Sequence, residues 1–475
     1  MCKIGWLCVV SIISFTHILL GQVEGHKIVI HPQQYEYDTI IVGNYYADRQ
    51  IVHDTLVRNE GQFILKGDKK LKPGMYLAIF RPDNQFIQFM VPVDDQHFTV
   101  SVDVKDVEQP SFVGSAENDL FMDYVRFIQM QNKQASELNE RLQTLDYESE
   151  EAEVIRNWLA NLSKEVEYYQ NNLISSHPNS LTARLIKSNI PVEVPDFEGH
   201  DEEIKAMKYH HYKKHFFDHL DLGDSVNFRM PFLHQKISQY VDQVTAQIPD
   251  SIIVSVDYVL NKMTGNTEAF RFYLSYFLNQ YAKSKQVGMD GVYVHLVDNY
   301  YSKGYAPWVD QETLQKLVEN STMLRPTIIG KRAENITTSK EDGTTVSLYD
   351  IQADYTVLYI YAFDCGHCKK STPHVVDMYN KLKHKGVKVM TICTKRELDE
   401  CWKYTQESKM DGFINTVDPH NMSRFRTKFD VRTTPKIYIL DKDKKILLKN
   451  FAIEKITEIM EEVIRVEESK TERNF

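Results

Sequence analysis

The chain has 475 residues, of which 42% are hydrophobic, 11% aromatic and 26% charged, with only 19 Gly and 15 Pro. That balance excludes a disordered, collagenous or fibrous chain. A formal net charge of −10, from 56 basic and 66 acidic residues, excludes a dedicated nucleic-acid binder, because neutralising phosphates needs a basic surface.

The first residues read as a secretory signal peptide over 1–21. Lys3 supplies the positive start, Ile4 to Leu20 is an apolar run, and Gly21 before Gln22 offers a small-residue cleavage point. Cys8 lies inside the run and not at its end, which argues against a lipoprotein anchor. The remainder is expected to be soluble and outside the cytosol, with membrane association only through an uncleaved leader, and is long enough for about three domains at roughly 150 residues each. Of the six cysteines, Cys2 and Cys8 fall in the leader. The four left are too few for a disulfide-stapled scaffold.

From about 26 to 115 the pattern alternates at period two, as in Asp38–Gly43, Gln62–Lys66, Met75–Phe80 and Phe98–Val104. Turn clusters such as Asn59–Gly61, Lys72–Gly74 and Arg81–Asn84 separate the runs, and the spacing predicts an all-β antiparallel module, sandwich-like. From 116 to 322 the period changes. Val154, Ile155, Trp158, Leu159, Leu162, Val166, Tyr169 and Leu173 recur at three- and four-residue steps, and Leu233, Ile237, Tyr240, Val241 and Val244 repeat the pattern, as an all-α region should. No repeat of solenoid type is visible. The segment 320–335, with its charged cluster Lys331-Arg-Ala-Glu334, reads as an exposed linker.

From 323 to 475 the order of elements is β-α-β-α-(β)-α-β-β-α, an α/β layout with helices on both faces of a mixed sheet. The near-continuous apolar run Tyr355–Ala362 is the expected central strand. A helix follows over about 366–385, then a strand over Val387–Cys393. Thr394 with Glu397 is expected to form a capping box opening the next helix. A short helix near 421–429, strands over Lys436–Leu440 and Ile446–Asn450, and a helix from Glu454 complete the pattern.

Cys365-Gly366-His367-Cys368 falls where the buried strand meets its helix. Backbone N–H groups and the positive end of the helix dipole favour a thiolate on the first cysteine. Gly366 and His367 are candidates for tuning it, His367 by charge when protonated and by hydrogen bonding otherwise. The second cysteine lies one turn further in, within reach of an intramolecular disulfide. A zinc site would need two more ligands with a paired motif, and covalent haem attachment needs a His where Lys369 stands. Neither metal nor cofactor is implied.

Tyr361–Lys370 around the two cysteines, Pro373 five residues on, and Thr433-Thr434-Pro435-Lys436 before the terminal hairpin resemble a thioredoxin fold. The whole layout is similar to the exported thioredoxin-like thiol-disulfide oxidoreductases of Bacteroidetes, which join a β-rich module and a helical domain to a C-terminal thioredoxin domain. The resemblance implies that Cys365 is the attacking thiolate and Cys368 the resolving thiol. It also implies a cis-proline at Pro435 facing the pair, with Thr434 offering its backbone to an extended substrate. Implied partners are protein thiols and disulfides and a redox partner that recycles the pair; the implied location is the periplasm or cell envelope. A rival reading is an envelope binding or chaperone protein whose thioredoxin-like domain is accessory.

This chain departs from the family at two positions. Thioredoxins carry a buried carboxylate six residues before the first cysteine, where Tyr359 stands, and membrane-tethered reductases of this fold carry a Glu three residues after the second, where Ser371 stands. Peroxiredoxins need a Pro and a Thr shortly upstream of their cysteine, and Tyr361–Asp364 supplies neither. Two lesser features are read blandly. His211, His215 and His219, four residues apart, form a helical stripe of hydrogen-bonded rings more readily than a metal site. Cys393 and Cys401 read as two buried free thiols, with a second disulfide or a regulatory pair as the alternative.

Overall fold

The computed structural model describes residues 25–473, so the predicted signal peptide lies outside the described residues. No helix among the described residues is long and apolar enough to cross a membrane. The chain is multidomain and forms two compact units. One takes the residues up to Glu193 together with Phe217–Gln235; the other takes Val194–Phe216 and everything from Lys236 onward.

In the first unit, β1 (His26–Gln33), β2 (Thr39–Tyr46), β3 (Arg49–Val57), β4 (Phe63–Gly67), β5 (Gly74–Phe80), β6 (Gln85–Val91), β7 (His97–Asp103) and β8 (Asp106–Val113) form two four-stranded sheets, ordered β4-β1-β7-β8 and β3-β2-β5-β6. The inward residues of both, among them Ile28, Ile30, Phe98 and Val100 from one and Val42, Tyr76, Phe89 and Val91 from the other, share one apolar cluster. This is the expected sandwich core. The module is not wholly antiparallel: β1 and β7 run parallel, Ile28 opposite Phe98. A period-two pattern specifies which face is buried but not the direction of the neighbouring strand.

Three helices follow in the same unit: α1 (Ala116–Leu142), α2 (Glu150–Ser176) and α3 (Leu181–Ser188). Asn118 ties α1 to the sandwich by accepting from the Met90 N–H at 2.7 Å and donating to its carbonyl at 2.8 Å. The Glu117 carboxylate takes the N–H groups of Leu181 and Thr182 at 3.0 and 2.9 Å, satisfying free donors at the start of α3.

The second unit begins with α4 (Asp201–His215). That helix ends at His215, so His219 does not continue the predicted stripe, although the His211 and His215 rings lie 4.3 Å apart. After α5 (Phe232–Ser238) come α6 (Pro249–Lys262), α7 (Thr267–Ala282), α8 (Asp290–Leu296) and α9 (Gln311–Leu324). Lys331, Arg332 and Glu334 are exposed, as their charges suggest, but segment 320–335 is not a free linker. Arg325 makes a two-pronged pair with Asp298 at 2.8–2.9 Å, and Gly330, Lys331 and Ala333 exchange backbone hydrogen bonds with Ile446 and Lys444, each 2.8 Å. Ala333 is fully buried.

The C-terminal elements are β9 (Thr337–Ser339), β10 (Thr345–Ser347), β11 (Tyr355–Tyr361), α10 (Gly366–Leu382), β12 (Val387–Cys393), α11 (Leu398–Glu407), β13 (Ile414–Val417), α12 (Phe425–Lys428), β14 (Lys436–Leu440), β15 (Ile446–Lys449) and α13 (Ile456–Arg473). They form a seven-stranded sheet in the order β10-β9-β13-β12-β11-β14-β15. β11 is central, parallel to β12 and antiparallel to β14. It is buried throughout: Val357, Tyr359 and Tyr361 enter one apolar cluster with α10 and α13, while Leu358 and Ile360 enter another with Phe425 and Phe429. Burial on both faces accounts for the unbroken apolar run.

Candidate active site

The site is built where β11 ends and α10 begins. Cys365 is the N-cap of α10, in extended conformation, and its sulfur accepts the backbone N–H of Cys368 at 3.4 Å, a role usually filled by a Ser or Asp oxygen. On its other side the Cys365 thiol donates to the Thr434 carbonyl, 3.5 Å away. Both cysteines are free thiols, Cys365 partly exposed and Cys368 fully buried.

Their acidities are driven apart. Desolvation of Cys365 would raise its pKa, but the hydrogen bonds from Cys368, with the Thr434 side chain and the His367 backbone N–H adding to them, outweigh it, and the thiol lies below its ordinary 9.0. Burial pushes Cys368 up to about 12. The first sulfur is therefore the more acidic, beside a second whose proton is held by burial. The effect of His367 comes through its main chain; its ring is exposed. Gly366 is exposed in the first turn, with open space where a side chain would stand.

Thr434 and Pro435 are brought to the pair by the segment before β14. The Thr434–Pro435 peptide bond is cis, and its neighbours are braced: Asp430, 4% exposed, pairs with Arg432 at 2.6 Å and Lys436 at 3.4 Å, and Arg432 also donates to Asn320 Oδ1 on α9 at 2.7 Å.

Beneath Cys368 lies a chain of hydroxyls. Tyr359 OH is 3.1 Å from Thr372 Oγ1, which is 2.8 Å from Tyr404 OH, and both Tyr359 and Thr372 donate to the Cys368 carbonyl, at 3.3 and 2.9 Å. Burial raises the Tyr359 phenol far above its ordinary value, so it stays neutral. Thr372, Tyr404, Asp430 and Asn320 were not legible as site residues, since only tertiary contact brings them together.

Cys393 and Cys401 are not free thiols: they form a disulfide, with Cα atoms 6.1 Å apart. The expected capping box does not form either. α11 starts at Leu398 with Glu397 as its N-cap, and Thr394 lies outside it, its N–H bonded to the Tyr361 carbonyl at 2.9 Å. Among the described residues no group of three or more His, Cys, Asp or Glu side chains is arranged to hold a metal.

Comparison with known proteins agrees with this architecture. Residues 329–449 match the AhpC/TSA family, and residues 163–326 match a domain of unknown function, DUF5106. The thiol-disulfide oxidoreductase ResA of Bacillus cereus is 24% identical over 127 residues, 26% of this chain and 68% of that protein. A thioredoxin-like protein from Bacteroides caccae is similar over 58% of this chain and 98% of its own, at 20% identity and a TM-score of 0.42. A domain of a possible thiol-disulfide isomerase from Cytophaga hutchinsonii is 33% identical, covering 31% of this chain and 97% of its own, with a TM-score of 0.27. The match to the AhpC/TSA family thus falls on residues 329–449, a thioredoxin-like domain at the C-terminal side of a β sandwich and a set of helices.

Proposed function

We propose that this protein is an exported thiol-disulfide oxidoreductase that exchanges disulfides with protein substrates through Cys365 and Cys368. The observation that carries the proposal is the divergence of the two thiols: a partly exposed sulfur whose pKa is depressed, one helical turn from a buried sulfur pushed up to about 12. In the reducing direction the Cys365 thiolate attacks one sulfur of a substrate disulfide and expels the other as a thiolate, leaving a mixed disulfide. Cys368 then gives up its proton and attacks Cys365 Sγ. The second substrate sulfur leaves as a thiolate and the enzyme holds a Cys365–Cys368 disulfide, which a reducing partner must open. The reverse sequence oxidises a substrate dithiol.

The Thr434 carbonyl accepts from Cys365, and the backbone of Thr434, followed by Pro435, is the proposed rail for an extended substrate segment. Location in the periplasm or cell envelope is supported by the leader-like sequence 1–21 and by the Cys393–Cys401 disulfide, a bond that persists in oxidising compartments. The test is insulin reduction with dithiothreitol as electron source. The wild type should accelerate precipitation of the insulin B chain and Cys365→Ser should match the uncatalysed rate. Equal rates for both would overturn the proposal.

A further inference from the structure

The Cys393–Cys401 pair takes no part in the exchange described above, yet it lies at the root of two contacts that reach the reacting motif. Cys393 closes β12 and stands opposite Tyr361 in the parallel ladder; Cys401 lies in the first turns of α11. Their disulfide closes the loop Thr394–Glu400. From that loop Lys395 Nζ binds Asp364 Oδ2 at 2.5 Å, and Asp364 is the residue directly before Cys365. Three residues past Cys401, Tyr404 holds Thr372, which in turn donates to the Cys368 carbonyl. The start of the loop is pinned by Thr394 N–H to Tyr361 and by Arg426 Nη2 donating to the Thr394 carbonyl at 2.8 Å.

We propose that the Cys393–Cys401 disulfide is a clamp that positions Lys395 against Asp364 and so sets the reactivity of Cys365. This rests on the reading of Cys365 as the attacking sulfur. An unpaired Asp364 carboxylate beside Cys365 disfavours the thiolate by like-charge repulsion, and Lys395 cancels that charge. Lys395 is itself within electrostatic reach of Cys365 and of Glu397. With side chains 36% and 52% exposed, the Lys395–Asp364 pair is solvent-screened and would persist poorly on a free loop. Covalent closure removes most of the loop's freedom beforehand, so little order remains to be imposed when the pair forms. Both cysteines of the clamp are buried, at 1% and 0% exposure, which keeps the bond away from substrates that meet Cys365.

The test is the rate of iodoacetamide alkylation of Cys365 at pH 6.5 in the full chain, with the modified residue located by peptide mass spectrometry. Lys395→Met should slow alkylation about threefold, the effect of one added net charge near an exposed thiol. Cys393→Ala/Cys401→Ala should slow it by a similar factor, and adding Lys395→Met to that pair should cost nothing more. A folded double variant with the wild-type rate, or a triple variant that loses the full threefold again, would overturn the clamp. Should the alanine pair fail to fold, wild-type protein whose Cys393–Cys401 bond has been opened by excess dithiothreitol gives the same comparison without any substitution. Alkylation is read at the sulfur and needs no protein substrate. Failure of the oxidoreductase reading would show instead in insulin reduction, with the alkylation ranking intact.

Discussion

The backbone N–H of Cys368 points at the sulfur of Cys365 from 3.4 Å, so in the proposed exchange the resolving residue also helps activate the attacking one. With the Cys365 thiol depressed by this bond and its neighbours, and Cys368 buried, iodoacetamide at pH 7 should label Cys365 at least tenfold faster than Cys368 in the native, reduced protein. Peptide mapping after timed labelling checks this. Comparable labelling of both sulfurs would contradict the site as described.

Thiolate stabilisation favours the reduced form of the pair. The Cys365–Cys368 couple should therefore be less reducing than the roughly −270 mV of thioredoxin and nearer the roughly −180 mV of protein disulfide isomerase. Equilibration with glutathione gives the value, and a potential below that of thioredoxin would be the contrary result.

Raised acid groups make the reduced protein sensitive to alkali. In the unfolded chain Cys368 ionises near its ordinary 9.0, whereas the folded site holds the proton up to about 12. Between those values the folded state carries a proton that the unfolded chain has lost, so stability falls as pH rises. Tyr359 and Tyr361, raised by burial, act in the same direction at higher pH. Cys365, whose pKa is lowered, opposes the trend only up to its ordinary 9.0, above which its contribution no longer changes. The buried groups should prevail, so the urea midpoint of the reduced protein should be lower at pH 10.5 than at pH 8.

Much of the C-terminal domain was legible because its signals are local. The apolar run at Tyr355 marks a strand buried on both faces, β12 and β14 begin and end where the pattern places them, and the two cysteines fall at a strand-to-helix junction. What was illegible depends on partners far away in sequence. Period two could not give the parallel β1–β7 pairing, and Thr394 with Glu397 has the composition of a capping box, but the Thr394 N–H bonds to the Tyr361 carbonyl instead. Lys331-Arg-Ala-Glu334 looks exposed, yet its backbone pairs with the end of the sheet near Lys444 and Ile446, which no local pattern records.

That pairing continues inward to Lys449, 1% exposed on β15, which is ion-paired with Asp290 on α8 and donates to Thr327 Oγ1 at 3.1 Å. Helix α8 thus shares a buried charge with the edge of the C-terminal sheet. Asp290→Ala should destabilise the protein by about 3 kcal/mol, because it leaves a buried ammonium unpaired, and adding Lys449→Met should recover most of the loss. Urea unfolding of the three proteins measures both steps.

The central claim, that Cys365 attacks and Cys368 resolves, is tested most directly by trapping. Cys368→Ser keeps the nucleophile and removes the escape route, so covalent adducts with client proteins that dissolve on reduction should accumulate in the producing cell, mapped by mass spectrometry to Cys365. Cys365→Ser should give none. Adducts at a matching level in the Cys365→Ser protein, through Cys368, Cys393 or Cys401, would contradict the account.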